Sequence, residues 1–340
     1  MKNWLLHVFY WEMIVLTFAS CSQDESIPMP DSNKMQVVFT LALDDPSSRS
    51  RAAWDQNQGE ADTTIGDELD YKIALNQLQV VLYNENGSFM GKVNNLQYYQ
   101  AEQINVYRFV GNLSINAQQE LKGKIMVFAN MGEGNVISTN TDLSGLSFPY
   151  DSSFIPMWGV SSIHATVIPG KQTILDKPIY LLRAMAKVEV TLDEKLLSDG
   201  YSLDNVTLEN YNEQGYCLPS AYKNASSTEL LDTEDVFHIY PSFKEKQRVF
   251  RQNETQSSYI IYVPEYQNIR SKNTSYMKVT IKQKVYHLDF KYYETGNPFD
   301  LIRNHHYKFN ILSIAPDDIN SNLYYKVEDW QNEKIEIGFN

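Results

Sequence analysis

Few residues in this chain have the types and spacing that catalysis needs. His305-His306 is the only adjacent histidine pair, but neighbours on a strand point to opposite faces, so the two rings are poorly placed to share a metal ion. The sequence contains no Walker loop, no Gly-x-Ser-x-Gly elbow and no His-Glu-x-x-His pair. Nucleotide, serine-hydrolase and zinc-protease readings therefore have no residues to rest on. The 42 acidic residues are numerous enough to fall into chance pairs, and none stands out as an acid–base couple. The 23 tyrosines could stack on sugars, although at strand positions they serve more often as core and rim. The expectation is no catalytic residue, no metal and no cofactor.

Covalent chemistry points instead to the N-terminal segment. Cys21 and Cys217 are the only cysteines, too few for a disulfide framework or a cysteine-rich zinc site. Cys21 ends a hydrophobic run, WLLHVFYWEMIVLTFAS, that His7 and Glu12 interrupt and that is too short for a clear membrane span. Residues 1–20 read as a signal peptide. Phe18-Ala19-Ser20-Cys21 resembles the lipobox of bacterial lipoproteins, in which small residues let signal peptidase II cut before a cysteine that carries the lipid. Ser22-Gln23-Asp24-Glu25 is similar to surface-export signals of Bacteroidetes lipoproteins. The other reading is an ordinary secretory signal and a free thiol. With Cys21 acylated, Cys217 has no partner and reads as a small buried hydrophobe. A second covalent event is suggested by Arg49 and Arg51, which follow the polar turn-forming run Asp44-Asp45-Pro46-Ser47-Ser48. An exposed loop tip there is open to a trypsin-like protease; the alternative is two solvated loop arginines.

Both events flank one element. Met35, Val37, Phe39, Leu41 and Leu43 alternate with Gln36, Thr40 and Asp44, the period of a half-buried strand. Burying five such side chains gives about 8–15 kcal/mol as an upper bound. Cutting the loop would leave a strand that dissociates slowly, and its loss would open a hydrophobic groove for another strand. Residues 21–34, polar and proline-punctuated, read as a tether.

At 340 residues the chain suits two domains of about 150 residues each. Abundant aromatic and β-branched residues favour strands. A net charge of −13 argues against nucleic acid or an anionic membrane as partner. Asn84-Glu85-Asn86-Gly87 predicts a hairpin, Asn212-Glu213-Gln214-Gly215 a second one, and Ser114–Leu121 a helical turn or two. Phe154–Gly159 reads as a corner plug. Arg183–Leu192 alternates cleanly and opens a second domain, and Asp193–Gly200 predicts one short helix ended by Gly200. At the C-terminus Ile335, Ile337 and Phe339 alternate with Lys334, Glu336 and Gly338, a candidate donor strand over 334–340. The fold class is therefore all-β, two tandem antiparallel β-sandwiches over 35–182 and 183–340 with few short helices. A sister molecule's tail filling the vacated groove would build a filament, since head-to-tail insertion does not close on itself.

The chain also resembles the fimbrillins of the Bacteroidales, lipoprotein precursors of type V pili. The matching features run in order from the Cys21 lipobox through Ser50-Arg51-Ala52, Phe128-Ala129-Asn130, Ile155-Pro156-Met157, Leu182-Arg183 and Ala186-Lys187-Val188. They continue with Tyr262-Val263-Pro264-Glu265, Arg303-Asn304-His305 with Tyr307, and Tyr325-Lys326-Val327 with Trp330. The resemblance implies transthyretin-like sandwiches, outer-membrane export as a lipoprotein, cleavage by an arginine-specific protease and assembly with other copies or related fimbrial subunits by donor-strand exchange. Cys21 matches the lipidation site and Arg51 the cleavage position, with Arg49 second. The resemblance leaves open a shaft, anchor or tip position, and a surface glycan-binding lipoprotein is the reading from a different class.

Overall fold

The computed structural model describes residues 35–43, 64–65, 69–100, 106–113, 119–132, 134–175, 177–219, 243–244, 248–252, 258–291 and 296–314. The N-terminal half runs β1 (Met35–Ala42), β2 (Thr64–Ile65), β3 (Ile73–Ala74), β4 (Gln79–Asn84), β5 (Phe89–Gln100), β6 (Val106–Leu113) and β7 (Gln119–Ala129). It continues with β8 (Ser147–Pro149), β9 (Met157–Val167), β10 (Gln172–Ile174), β11 (Ile179–Tyr180) and β12 (Leu182–Arg183). The rest comprises β13 (Met185–Leu192), α1 (Glu194–Ser198), β14 (Leu203–Glu209), β15 (Tyr211–Asn212), β16 (Gln214–Tyr216), β17 (Phe243–Lys244), β18 (Arg248–Val249) and β19 (Arg251–Gln252). Four longer strands close the series: β20 (Ser258–Pro264), β21 (Tyr276–Ile281), β22 (Lys284–Asp289) and β23 (His306–Ile311). The fold is all-β, and α1 is the sole α-helix among the described residues. The Asp193 side chain caps it by accepting from the Lys195 amide at 3.0 Å.

Apolar alternation builds two cores. The first belongs to one long sheet of order β10-β1-β6-β5-β4-β7-β9-β12, with β11 also beside β1. Its central strands, such as β7 with Ile125, Met126, Val127 and Phe128 all buried, are apolar on both faces, as strands covered on both sides must be. The second core lies between two four-stranded sheets, β19-β20-β13-β23 and β18-β14-β21-β22. Val188 and Val190 pack there with Leu208, Met277, Ile261 and Phe309. The first core also takes in Ala184, Met185, Cys217 and Leu218 from beyond residue 183.

Most pairings are antiparallel, and the Asn84–Gly87 turn joins β4 to β5 as expected, with the Gly87 amide donating to the Asn84 carbonyl at 3.0 Å. Three are parallel: β1 with β10, β1 with β11, and β13 with β23. Three local expectations fail. Residues 119–121, expected to be helical, open β7 and pair with β9, because long-range pairing with Val167, Thr166 and Ala165 overrides a weak local preference. The expected hairpin across 212–215 is absent: β15 pairs with β17, and β16 crosses to β8. Gly215 permits that crossing, since a Cβ there would meet the Phe148 ring at 2.2 Å. Its bare backbone is the seat for that buried ring. Trp158 and Gly159, expected in a corner, lie within β9, and Trp158 is fully buried.

Candidate functional site

The strand β1 is an interior strand with partners on both sides. Along its whole length it runs antiparallel to β6, from Met35 opposite Leu113 to Ala42 opposite Val106. On its other flank β10 and β11 run parallel, pairing Gln36 with Gln172 and Leu41 with Ile179. Just past each short strand the ladder continues: the Leu175 amide donates to the Val38 carbonyl at 2.8 Å, and the Leu181 amide to the Ala42 carbonyl at 2.8 Å. Removing β1 would therefore open a slot with hydrogen-bonding groups on both walls.

Side chains fit that slot closely. Met35, Val37, Phe39, Leu41 and Leu43 are all buried in the first core, and the Phe39 ring stacks on Phe109 with centroids 5.6 Å apart. Tyr98 leans on Phe109 from the far side at 5.7 Å. The opposite face of β1 is less polar than simple alternation predicts: Gln36 and Thr40 are half-buried, but Val38 and Ala42 are each only 2% exposed. Gln36 accepts a 3.1 Å hydrogen bond from the Gln172 amide. No residue of Met35–Ala42 is charged.

The slot is closed by residues 179–183. Their first two residues pair with β1, while Leu182 and Arg183 pair with Trp158 and Met157 of β9. Gly159 makes the bridge possible, because a Cβ there would lie 2.4 Å from the Tyr180 carbonyl and 2.8 Å from Leu181. A side chain at 159 would push the bridge off β9 and widen the slot.

A second constellation joins the two cores. Asp70, 4% exposed, takes the Lys187 ammonium on one carboxylate oxygen at 2.7 Å and the Tyr262 hydroxyl on the other. The Arg183 Nε donates to its carbonyl at 2.7 Å, and Arg183 also reaches the Asn304 side-chain oxygen. Arg303 grips Glu265 with two charge-assisted bonds of 2.8 and 2.9 Å and donates to the Cys217 and Tyr216 carbonyls. Together these bonds fasten β16 and the Asp70 turn to the second sandwich.

The sequence-predicted residues divide sharply. Met35, Val37, Phe39, Leu41 and Leu43 gather on one core face; Cys21, Arg49, Arg51, Ile335, Ile337 and Phe339 lie outside the described residues. His306 sits beside Glu189 at 2.9 Å, while His305 bonds the Arg303 carbonyl, so the pair diverges. Among the described residues no group of three His, Cys, Asp or Glu is placed to hold a metal. Burial pushes the Cys217 thiol up despite the nearby Arg303 charge, so this sulfur is inert in the folded chain. Sequence reasoning missed the buried outer face of β1 and the Asp70, Arg183 and Arg303 fasteners. A hint lay in Leu182-Arg183-Ala184, where an arginine interrupts an apolar run.

A family model described as fimbrillin-A associated anchor proteins Mfa1 and Mfa2 matches residues 49–336. The chain belongs to this family. Two solved structures share the fold of this fimbrillin-family protein. One is the tip fimbrial protein Mfa3 from Porphyromonas gingivalis with C-terminal truncation, at TM-score 0.52 and 14% identity, covering 87% of this chain and 100% of that one. The other is a Bacteroides uniformis protein assigned to cell adhesion, at TM-score 0.50 and 11% identity, covering 88% and 99%. No curated protein sequence matches the chain. A structural fimbrial protein is thus the class to which these sandwiches belong.

Proposed function

We propose that this fimbrial protein is a non-enzymatic pilus subunit, exported as an outer-membrane lipoprotein through Cys21 and kept monomeric in transit by β1. An arginine-specific protease cuts after Arg51 or Arg49, β1 departs, and the Lys334–Asn340 strand of another subunit takes its place. Its two sandwiches divide near Leu182, and the assembled fimbrium serves adhesion.

The observation that carries this reading is the placement of β1. It is an uncharged strand paired on both flanks and buried in the core, yet it is joined to the rest by the polar stretch that contains both arginines. When β1 leaves, β6 keeps its ladder to β5, while β10 and β11, which among the described residues pair with β1 alone, need a replacement strand.

The test is to treat purified precursor with an arginine-specific protease and run unboiled gels. A ladder should appear, and deletion of Lys334–Asn340 should abolish it; persistent monomer after confirmed loss of β1 would refute exchange. The description of the matching family favours a second reading, an anchor of the same fold. An uncleaved, lipid-bearing N-terminus in the assembled pilus would mark it.

A further inference from the structure

If strands are exchanged as proposed above, the groove itself dictates how the incoming strand sits. We infer that the Lys334–Asn340 tail of a second copy of this chain enters the β1 groove in one register only. It runs in the direction of β1, with Ile335, Ile337 and Phe339 in the places of Met35, Val37 and Phe39. This rests on the exchange reading and adds the partner and the seat.

Burial along the groove sets the choice of seat. Inward-facing sites along the groove are those of residues 35, 37, 39, 41 and 43, all buried. Outward-facing sites are not equivalent: those of Gln36 and Thr40 are half-buried and polar, while those of Val38 and Ala42 are each 2% exposed. A charged side chain is therefore tolerated at 36 or 40 and excluded at 38 or 42, where it would be desolvated without a counter-charge in β1's place.

The tail, Lys-Ile-Glu-Ile-Gly-Phe-Asn, carries charges at 334 and 336. Six arrangements keep all three of its apolar side chains on inward sites, three in each strand direction. Moving the tail two places further along the groove puts Glu336 at the Val38 site, and four places puts Lys334 there. Reversing the strand puts Glu336 at Val38, Lys334 at Ala42 or Glu336 at Ala42 in its three seats. The remaining arrangement puts Glu336 at the Gln36 site, Gly338 at Val38 and Asn340 at Thr40, and places no charge at the closed sites of Val38 and Ala42.

Chemistry agrees at each place of that seat. Gln36 serves as an acceptor for the Gln172 amide, and a glutamate carboxylate is acceptor-only, so Glu336 takes the same bond with a charge added. Gly338 fits the closed site opposite Val110. Phe339 replaces Phe39 on the Phe109 ring, and polar Asn340 replaces polar Thr40. The tail is a chemical copy of the segment beginning at Lys34, which makes a sister molecule its natural recipient.

The register is tested by intermolecular disulfides in full-length chains carrying Cys21→Ser. One chain carries Glu336→Cys; its partner carries Asn112→Cys or Val110→Cys, the residues opposite sites 36 and 38. Cross-strand partners lie within disulfide reach, and Cys217 is too buried to compete. After cleavage and mixing, the Asn112→Cys partner should be cross-linked at least tenfold more than the Val110→Cys partner. A ladder with the Val110 cross-link preferred, or with neither, overturns the register while leaving exchange intact. A parent chain that forms no ladder overturns both. Tail variants leave the groove untouched and give a second measure: Gly338→Glu should slow ladder formation at least tenfold and Gly338→Ala should not. Equal rates for the two would also overturn the register.

Discussion

Strands β1 and β13 have the same length, eight residues each, and similar surroundings, an antiparallel strand on one flank and parallel pairing on the other, with β10 and β11 for β1 and β23 for β13. They differ in what their outward faces carry. From β13, Lys187 binds Asp70 and Glu189 binds His306, so the strand is keyed to particular partners. From β1 come Gln36, Val38, Thr40 and Ala42, with no charge at all. A strand held by a backbone ladder and apolar fit can be replaced by any strand of similar pattern, whereas one held by buried ion pairs cannot be replaced without orphaning a charge. The lesson is that exchangeability is a property of side chains; topology alone would make the two strands equivalent.

The largest expected effect compares the cores directly. Phe39→Ala and Phe309→Ala each remove a fully buried ring and should each cost about 3–5 kcal/mol in denaturant unfolding. Only Phe39→Ala should hasten release of β1 after cleavage; equal release from both variants would break the contrast. Next, Asp70→Ala leaves Lys187 and Tyr262 without their shared carboxylate and should cost about 3 kcal/mol, with β1 release in the cleaved chain unchanged. A smaller effect is expected at Gln36→Ala, where losing the bond from Gln172 should cost about 1 kcal/mol and speed β1 release slightly.

The smallest effect concerns pH. Burial raises the Glu189 carboxyl, but the His306 hydrogen bond and the charges of Lys308, His306 and Lys187 outweigh it, so the group is held below its ordinary value of 4.5. Its contribution to stability is present above that value and is lost as pH falls through the lower folded-state value. The stability deficit of Glu189→Gln should therefore be seen at neutral pH and shrink on acidification below 4.5. A deficit constant across that range would show that the charge pair does not key β13.

Much of this was legible in the residues. The alternation of Met35–Leu43 and of Ala184–Leu192, the Asn-Gly turn and the short helix ended by Gly200 are local signals, and local steric and solvation preferences write them directly into the sequence. The resemblance to fimbrillins was legible too, because its short motifs are spread along most of the chain. Alternation also promised a polar outer face for β1, and that was incomplete: burial of Val38 and Ala42 depends on what lies over the strand, which no single strand's pattern records. Likewise Gly215 reads locally as a turn, yet its use is to receive Phe148 from 67 positions away in the chain.

The amino-acid order by itself determined that the chain is strand-built, that Cys21 on one side and Arg49 with Arg51 on the other bracket one apolar strand, and that residues 334–340 repeat that strand's pattern. Only the folded chain decided that β1 is an interior strand with paired walls, that Gly159 lets residues 179–183 close its slot, and that Asp70 and Arg303 bind the cores together. The physical reason is range. Periodicity and turn chemistry act between near neighbours, whereas burial, cross-strand pairing and buried charge compensation are settled by residues far apart in sequence that meet only when the sheets assemble.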